Sequence, residues 1–170
     1  MVSVEAVRWS NVYPPVSSFL SSRLKPFLDL KDSGSLILTN IYLLVGVSWP
    51  LWIYPSPLHQ LPSPLVLYTG VLSVGVADSA ASIVGSIMGR ITWGPNSSKT
   101  IEGSVAGAIS SIACAMTLSA FNLVVIDSWS ALFLSVVGMV LTEALSDQVD
   151  NLTLPLVMYG LLSWFQYMAY

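Results

Sequence analysis

The stretch from Ala77 to Arg90, ADSAASIVGSIMGR, sets a single carboxylate, Asp78, inside a run that otherwise reads as lipid-soluble. What surrounds it decides the fold. No charged residue stands between Asp32 and Asp78, between Glu102 and Asp127, or after Asp150, leaving gaps of 45, 24 and 20 residues. A helix needs about 20 apolar residues to cross a bilayer. The composition, 54% hydrophobic and 9% charged, lies far from the roughly 25% charged residues of soluble domains. The expected fold is all-α: a multi-pass transmembrane helical bundle of about five membrane helices.

The segments expected from these gaps run from about Ser35 to Tyr54, Leu65 to Gly89, Gly103 to Ile126, Ser128 to Ser146 and Leu152 to Tyr170. Between the first two lies PSPLHQLPSP, residues 55–64, whose four prolines break any helix. Residues 1–34 form a polar N-terminal segment, and residues 35–170 a transmembrane domain with a polar loop over 90–102. The first 32 residues include Pro14-Pro15 and lack the charged start and apolar core of a secretory signal. Insertion would rely on a later helix.

Charge also orients the bundle. Arg8, Arg23, Lys25 and Lys31 precede the first segment, and Arg90 and Lys99 lie between the second and third. With alternating helices all six fall on one side, and cytoplasmic loops carry the excess of lysine and arginine. That side, with segment 1–34, is expected to be cytosolic. The sequons Asn96-Ser97-Ser98 and Asn151-Leu152-Thr153 fall on it and would remain unmodified.

Several function classes drop out. A net charge of -3 with no basic run gives a nucleic acid nothing to bind. The lone Cys114 and the lone His59 rule out a disulfide framework, a cysteine metal site and serine–histidine catalysis within one chain. The aromatic residues Trp49, Trp52, Tyr54, Trp93, Trp129, Trp164 and Tyr170 cluster near expected helix ends, as an interfacial belt does.

Three constellations can carry chemistry. On a helix, Gly75, Asp78, Ser82, Gly85 and Gly89 recur at spacings of three and four and share one face. Ionisable residues inside a membrane are costly and usually mark a site, although a protonated structural aspartate is the plainer alternative. The loop GRITWGPNSSKTIEG joins two cations, a turn, hydroxyls and Glu102 to the start of the next helix. Lys99 there can meet a phosphate, as can backbone N–H groups at a helix start, while a plain basic connector would read the same way. It is not a Walker loop, because Ser98 stands where that motif needs glycine. Glu143, Asp147 and Asp150 follow at i, i+4 and i+7, so a continued helix would present three acids on one face. Lys99, Arg90 or a divalent cation held by oxygen ligands could relieve their repulsion. Gly103 and Gly107, beside Ser104, Ala108 and Ser111, form a strip suited to close helix packing. Together these parts suit phosphoryl transfer, where positioning and charge neutralisation do most of the work, with a lipid alcohol as acceptor.

The stretch ADSAASIVGSIMGRITWGPNSSKTIEGSVAG resembles the signature of the dolichol and polyprenol kinase family, D-x-x-A-S-x-x-G-x-x-x-G-x-x-x-W followed by K-T-x-E-G. SGSLILTNIYLLVGVSWPLWI and EALSDQVDNLTLPL resemble further blocks of it. The resemblance covers about Phe27 to Leu156, leaves residues 1 to about 24 outside, and corresponds to the C-terminal part of a longer family.

What it implies is an endoplasmic-reticulum membrane enzyme, serving dolichyl phosphate supply for protein glycosylation. It would use CTP and a divalent cation, Mg2+, to phosphorylate dolichol, with the nucleotide site facing the cytosol. Asp78, Gly85, Gly89, Arg90, Lys99, Thr100, Glu102 and Gly103 would form the CTP-binding region, and Glu143, Asp150 and Asn151 match the later block. Asp29 and Asp32 resemble another acidic pair. In this reading Lys99 pairs with the CTP phosphates, Asp78 and one of Glu102, Glu143 or Asp150 hold the metal, and Asp150 or Asp78 is the general base. The alternatives are a kinase of another isoprenoid alcohol, a CTP-dependent lipid cytidylyltransferase, a transporter using Asp78 as a relay, and a non-catalytic membrane fragment.

Overall fold

A computed structural model of the chain describes residue 19 and residues 39–54, 63–95, 97–146 and 150–168. Among the described residues, five helices carry the fold. Helix α1 spans Thr39–Ile53. Helix α2, Val71–Met88, follows a short 3-10 turn, Leu65–Tyr68. Helix α3 spans Ile101–Ala120, α4 Trp129–Leu145 and α5 Asp150–Met168. All five expected segments are therefore helical. Helices α2 and α3 are long and apolar enough to cross a membrane, while Ile41–Ile53 and Trp129–Leu145 are apolar but shorter.

The helix ends follow local chemistry. Thr100 and Ser128 cap α3 and α4, their hydroxyl oxygens accepting the N–H of Gly103 and of Ala131, as side-chain caps do for the unpaired first turn of a helix. Helix α3 stops six residues before the expected Ile126. Asn122 adopts a left-handed φ of 55°, and the N–H of Leu123 reaches back to the carbonyl of Leu118 at 3.0 Å. Asparagine is among the few non-glycine residues that take this conformation readily. The chain then forms β2, Val124–Val125, paired in parallel with β1, Ser63–Pro64.

Helix α2 changes winding midway: Val71–Asp78 is a π-helix and Ser79–Met88 an α-helix. Of the stripe read at spacings of three and four, Asp78, Ser82 and Gly85 still share one cleft. Gly75, in the wider turns, is exposed. The sequence offers no local reason for the π segment, though such segments often accompany functional sites.

Helices α2 and α3 pack against each other through small residues. A Cβ on Gly103 would lie 2.6 Å from the carbonyl oxygen of Ala81, and one on Gly107 2.9 Å from that of Ala77. Backbone meets backbone there, the close approach that small residues at helical spacing permit. Helix α4 packs on α5, burying Leu132, Val136 and Met139 against Leu154, Met158 and Leu162.

Outside, the polarity pattern is that of a membrane protein. Ile83, Ile87, Val105, Ile109, Phe133 and Leu141 are exposed, whereas Ser73, Ser111 and Ser135 are fully buried. Each buried hydroxyl donates to a carbonyl one turn earlier in its own helix, which satisfies it without water. Trp52, Trp129, Trp164 and Tyr167 are exposed near helix ends, as expected of residues that favour the bilayer interface.

Candidate functional site

The site is built from Asp78, the last π-wound residue of α2, the α-wound turns after it and the hairpin that follows. Thr92 and Thr100 form an antiparallel bridge. The N–H of Trp93 donates to the carbonyl of Lys99 at 3.1 Å, and that of Ile101 to Ile91 at 2.8 Å. At the tip, Ser97 N–H donates to the Gly94 carbonyl, and the Ser97 hydroxyl accepts from Lys99 N–H at 3.1 Å. The Trp93 indole N–H donates to the Ser104 hydroxyl at 2.9 Å and ties the hairpin to α3. Lys99 thus leaves a backbone fixed on both sides.

Two glycines set the hairpin against α2. A Cβ on Gly85 or on Gly89 would lie 2.8 Å from the Thr100 hydroxyl oxygen, and that oxygen caps α3. The spacing Gly85-x-x-x-Gly89 therefore lets the capped start of α3 lie against α2.

These elements enclose a cleft of about 360 Å³. Asp78, Ala81, Ser82, Gly85 and Ser86 line it from α2, Ser98, Lys99 and Thr100 from the hairpin, Gly103 and Ser104 from α3, and Glu143 from α4. Lys99 Nζ donates to Glu143 Oε1 at 3.2 Å, with side-chain exposures of 24% for Lys99 and 4% for Glu143. Among the cations named as possible partners of Glu143, the structure therefore brings Lys99. Lysine, several hydroxyls and the start of α3, where the helix dipole is positive, give the cleft what an anion needs. Asp78 and Glu143 add two carboxylates.

The other expected site residues lie elsewhere. Glu102 sits in the first turn of α3 and accepts the N–H of Ile91 with both carboxylate oxygens at 3.3 Å. With Gly89, Arg90, Val84, Ile87 and Met88 it lines a second cleft of about 630 Å³. The physical reason is helix phase: α3 starts at Ile101, so Glu102 diverges from Lys99 although three positions separate them. Asp150 opens α5, but its side chain, like Asp29, Asp32, His59, Asn96 and Asp147, lies outside the described residues. Among the described residues no three of His, Cys, Asp and Glu form a metal-holding group. The hydroxyls of Ser86, Ser98 and Ser104 were not singled out as site residues from sequence, where serine is too common to signal. Ser104 could have been found as the residue one turn beyond Thr100.

An all-α membrane bundle with a polar, lysine- and carboxylate-lined cleft at one end is the class of protein these features define. In sequence the chain is 42% identical over 168 residues, 95% of its length, to dolichol kinase of Mus musculus and to that of Homo sapiens. It is 32% identical over 168 residues to Dolichol kinase EVAN of Arabidopsis thaliana. The chain matches the C-terminal part of these dolichol kinases and spans 31% of the length of the mouse and human proteins. A match over 95% of the chain reaches well beyond Phe27–Leu156, so part of residues 1–24, expected to lie outside the resemblance, falls within it. No family model matches the chain, and no solved structure does.

Proposed function

We propose that the chain carries the nucleotide site of a CTP-dependent kinase that phosphorylates dolichol to dolichyl phosphate in the endoplasmic-reticulum membrane. The observation that supports it most is the cleft joining Lys99, Asp78 and Glu143 in a chain similar to dolichol kinases. In this reading the hydroxyl oxygen of the lipid attacks the γ-phosphorus of CTP. The bond from that phosphorus to the bridging oxygen breaks, CDP leaves, and the hydroxyl proton passes to a carboxylate.

Lys99 neutralises phosphate charge, and the Ser98 and Thr100 hydroxyls beside it orient the phosphates. Magnesium favours oxygen ligands and uses one or two carboxylates together with substrate phosphates. The cleft fits that demand, with Asp78 as the holding carboxylate while Glu143 is engaged by Lys99. When bound, the cation would neutralise charge developing on the transferred group. Asp150, at the start of α5, is then assigned the proton.

The basic residues support a cytosolic cleft. The Asn96 sequon should accordingly carry no glycan, and treatment with an endoglycosidase should leave the mobility of the chain unchanged.

The activity test uses membranes that carry this chain and lack other dolichol kinases, given dolichol and CTP labelled in the γ or the α phosphate. Label from the γ position in the lipid supports the kinase. Label from the α position would instead make the chain a lipid cytidylyltransferase, and label from neither would remove the catalytic reading. Shorter isoprenoid alcohols offered in parallel separate dolichol from sibling acceptors.

A further inference from the structure

Of the three acids at residues 143, 147 and 150, Glu143 is the one whose side chain is described, and the structure pairs it with Lys99. It projects from α4, 44 positions from Lys99, and is 3% exposed. A carboxylate so buried is stable as an anion only when a cation or hydrogen bonds compensate it. Lys99 meets it at 3.2 Å, on the wall of the cleft that both residues line.

We infer that Glu143 is a positioning residue for Lys99: it helps to fix the ammonium at the phosphate end of the cleft and acts on the nucleotide only through it. The inference rests on the proposed nucleotide site. A lysine side chain is a flexible four-carbon stem carrying a point charge, and the hairpin hydrogen bonds described above fix only its backbone. The pair with Glu143 helps to fix the other end. An ammonium has three N–H donors, so one can hold Glu143 while another meets a phosphate oxygen. The pair also ties α4 to the hairpin between α2 and α3, so that a shift of α4 would move the lysine.

A metal ligand at the same position would behave differently, and a double-mutant cycle separates the two roles. Binding of labelled CTP is measured without divalent cations on the membrane-embedded chain, for the wild type, Lys99→Ala, Glu143→Gln and the double variant. Glu143→Gln alone should weaken CTP binding at least tenfold, and less than twofold once Lys99 is already Ala. In the kinase assay the same substitution should raise KM for CTP more than it lowers kcat and leave the magnesium concentration for half-maximal rate unchanged. Glu143→Asp keeps the charge on a shorter arm and should fall between wild type and Gln, which also covers a Gln variant that fails to fold.

A full tenfold loss persisting in the Lys99→Ala background, or a shifted magnesium requirement, would overturn the inference and leave the nucleotide site standing. A wild-type chain that binds no CTP would overturn the nucleotide site itself.

Discussion

The two clefts beside the C-terminal half of α2 hold the same kinds of charge and use them differently. One brings Lys99 to Glu143 and the other contains Arg90 and Glu102. Glu143 is withdrawn from solvent and reaches across from another helix to meet its cation. Glu102 stays near the surface and holds the N–H of Ile91 at the base of the hairpin. The walls differ as well: Ser82 and Ser86 face the first cleft, while Val84, Ile87 and Met88 line the second. The difference is physical: in the lower dielectric around a withdrawn ion pair each charge acts more strongly on its neighbours than an exposed one does.

The largest expected effect in breaking this contrast comes from Lys99→Ala. It removes the cation from the phosphates and leaves Glu143 without that partner, and phosphoryl transfer should fall by about 100-fold or more, the scale of losing one preorganised charge-stabilising donor. The assay with γ-labelled CTP reads it. Next is Gly103→Val. Even the first carbon of a side chain would lie 2.6 Å from the Ala81 carbonyl, so α2 and α3 must part. Overpacking of this kind costs about 1–3 kcal/mol, to be read as a lower unfolding temperature in detergent, together with loss of CTP binding as the cleft walls separate.

Thr100→Ala removes the cap of α3 and should cost about 1 kcal/mol of stability, with a modest rise in KM for CTP. Glu102→Gln should have the smallest effect. Its amide oxygen can still accept from Ile91, so the loss is at most about 1 kcal/mol and turnover should fall less than about tenfold. A Glu102→Gln variant as inactive as Lys99→Ala would erase the difference between the two clefts and return Glu102 to the site.

Much of the bundle was legible because gaps between charges measure helices directly. The five segments appear where the charge-free tracts put them, with boundaries displaced where one residue decides: Asn122 ends α3 early, and Thr100 starts it two residues before the expected Gly103. The union of Asp78, Lys99 and Glu143 was legible only in part. Sequence named Lys99 as one of several possible partners for the acids, but spacing cannot choose among elements distant in the chain. Glu102 shows the converse, since nearness along the chain suggested a shared site and the phase of α3 turned its carboxylate into another cleft. The π-wound turns of α2, which expose Gly75 while Asp78 lines the cleft, leave no pattern in composition or periodicity.

The most direct test of a shared nucleotide cleft is chemical labelling of Lys99 in sealed microsomes by an amine reagent that cannot cross the bilayer, with and without CTP. Lys25 and Lys31 serve as internal references. Labelling of Lys99 from the cytosolic side that saturating CTP suppresses, with the references unchanged, is the expected result. Equal labelling of Lys99 in the presence and absence of CTP would contradict it.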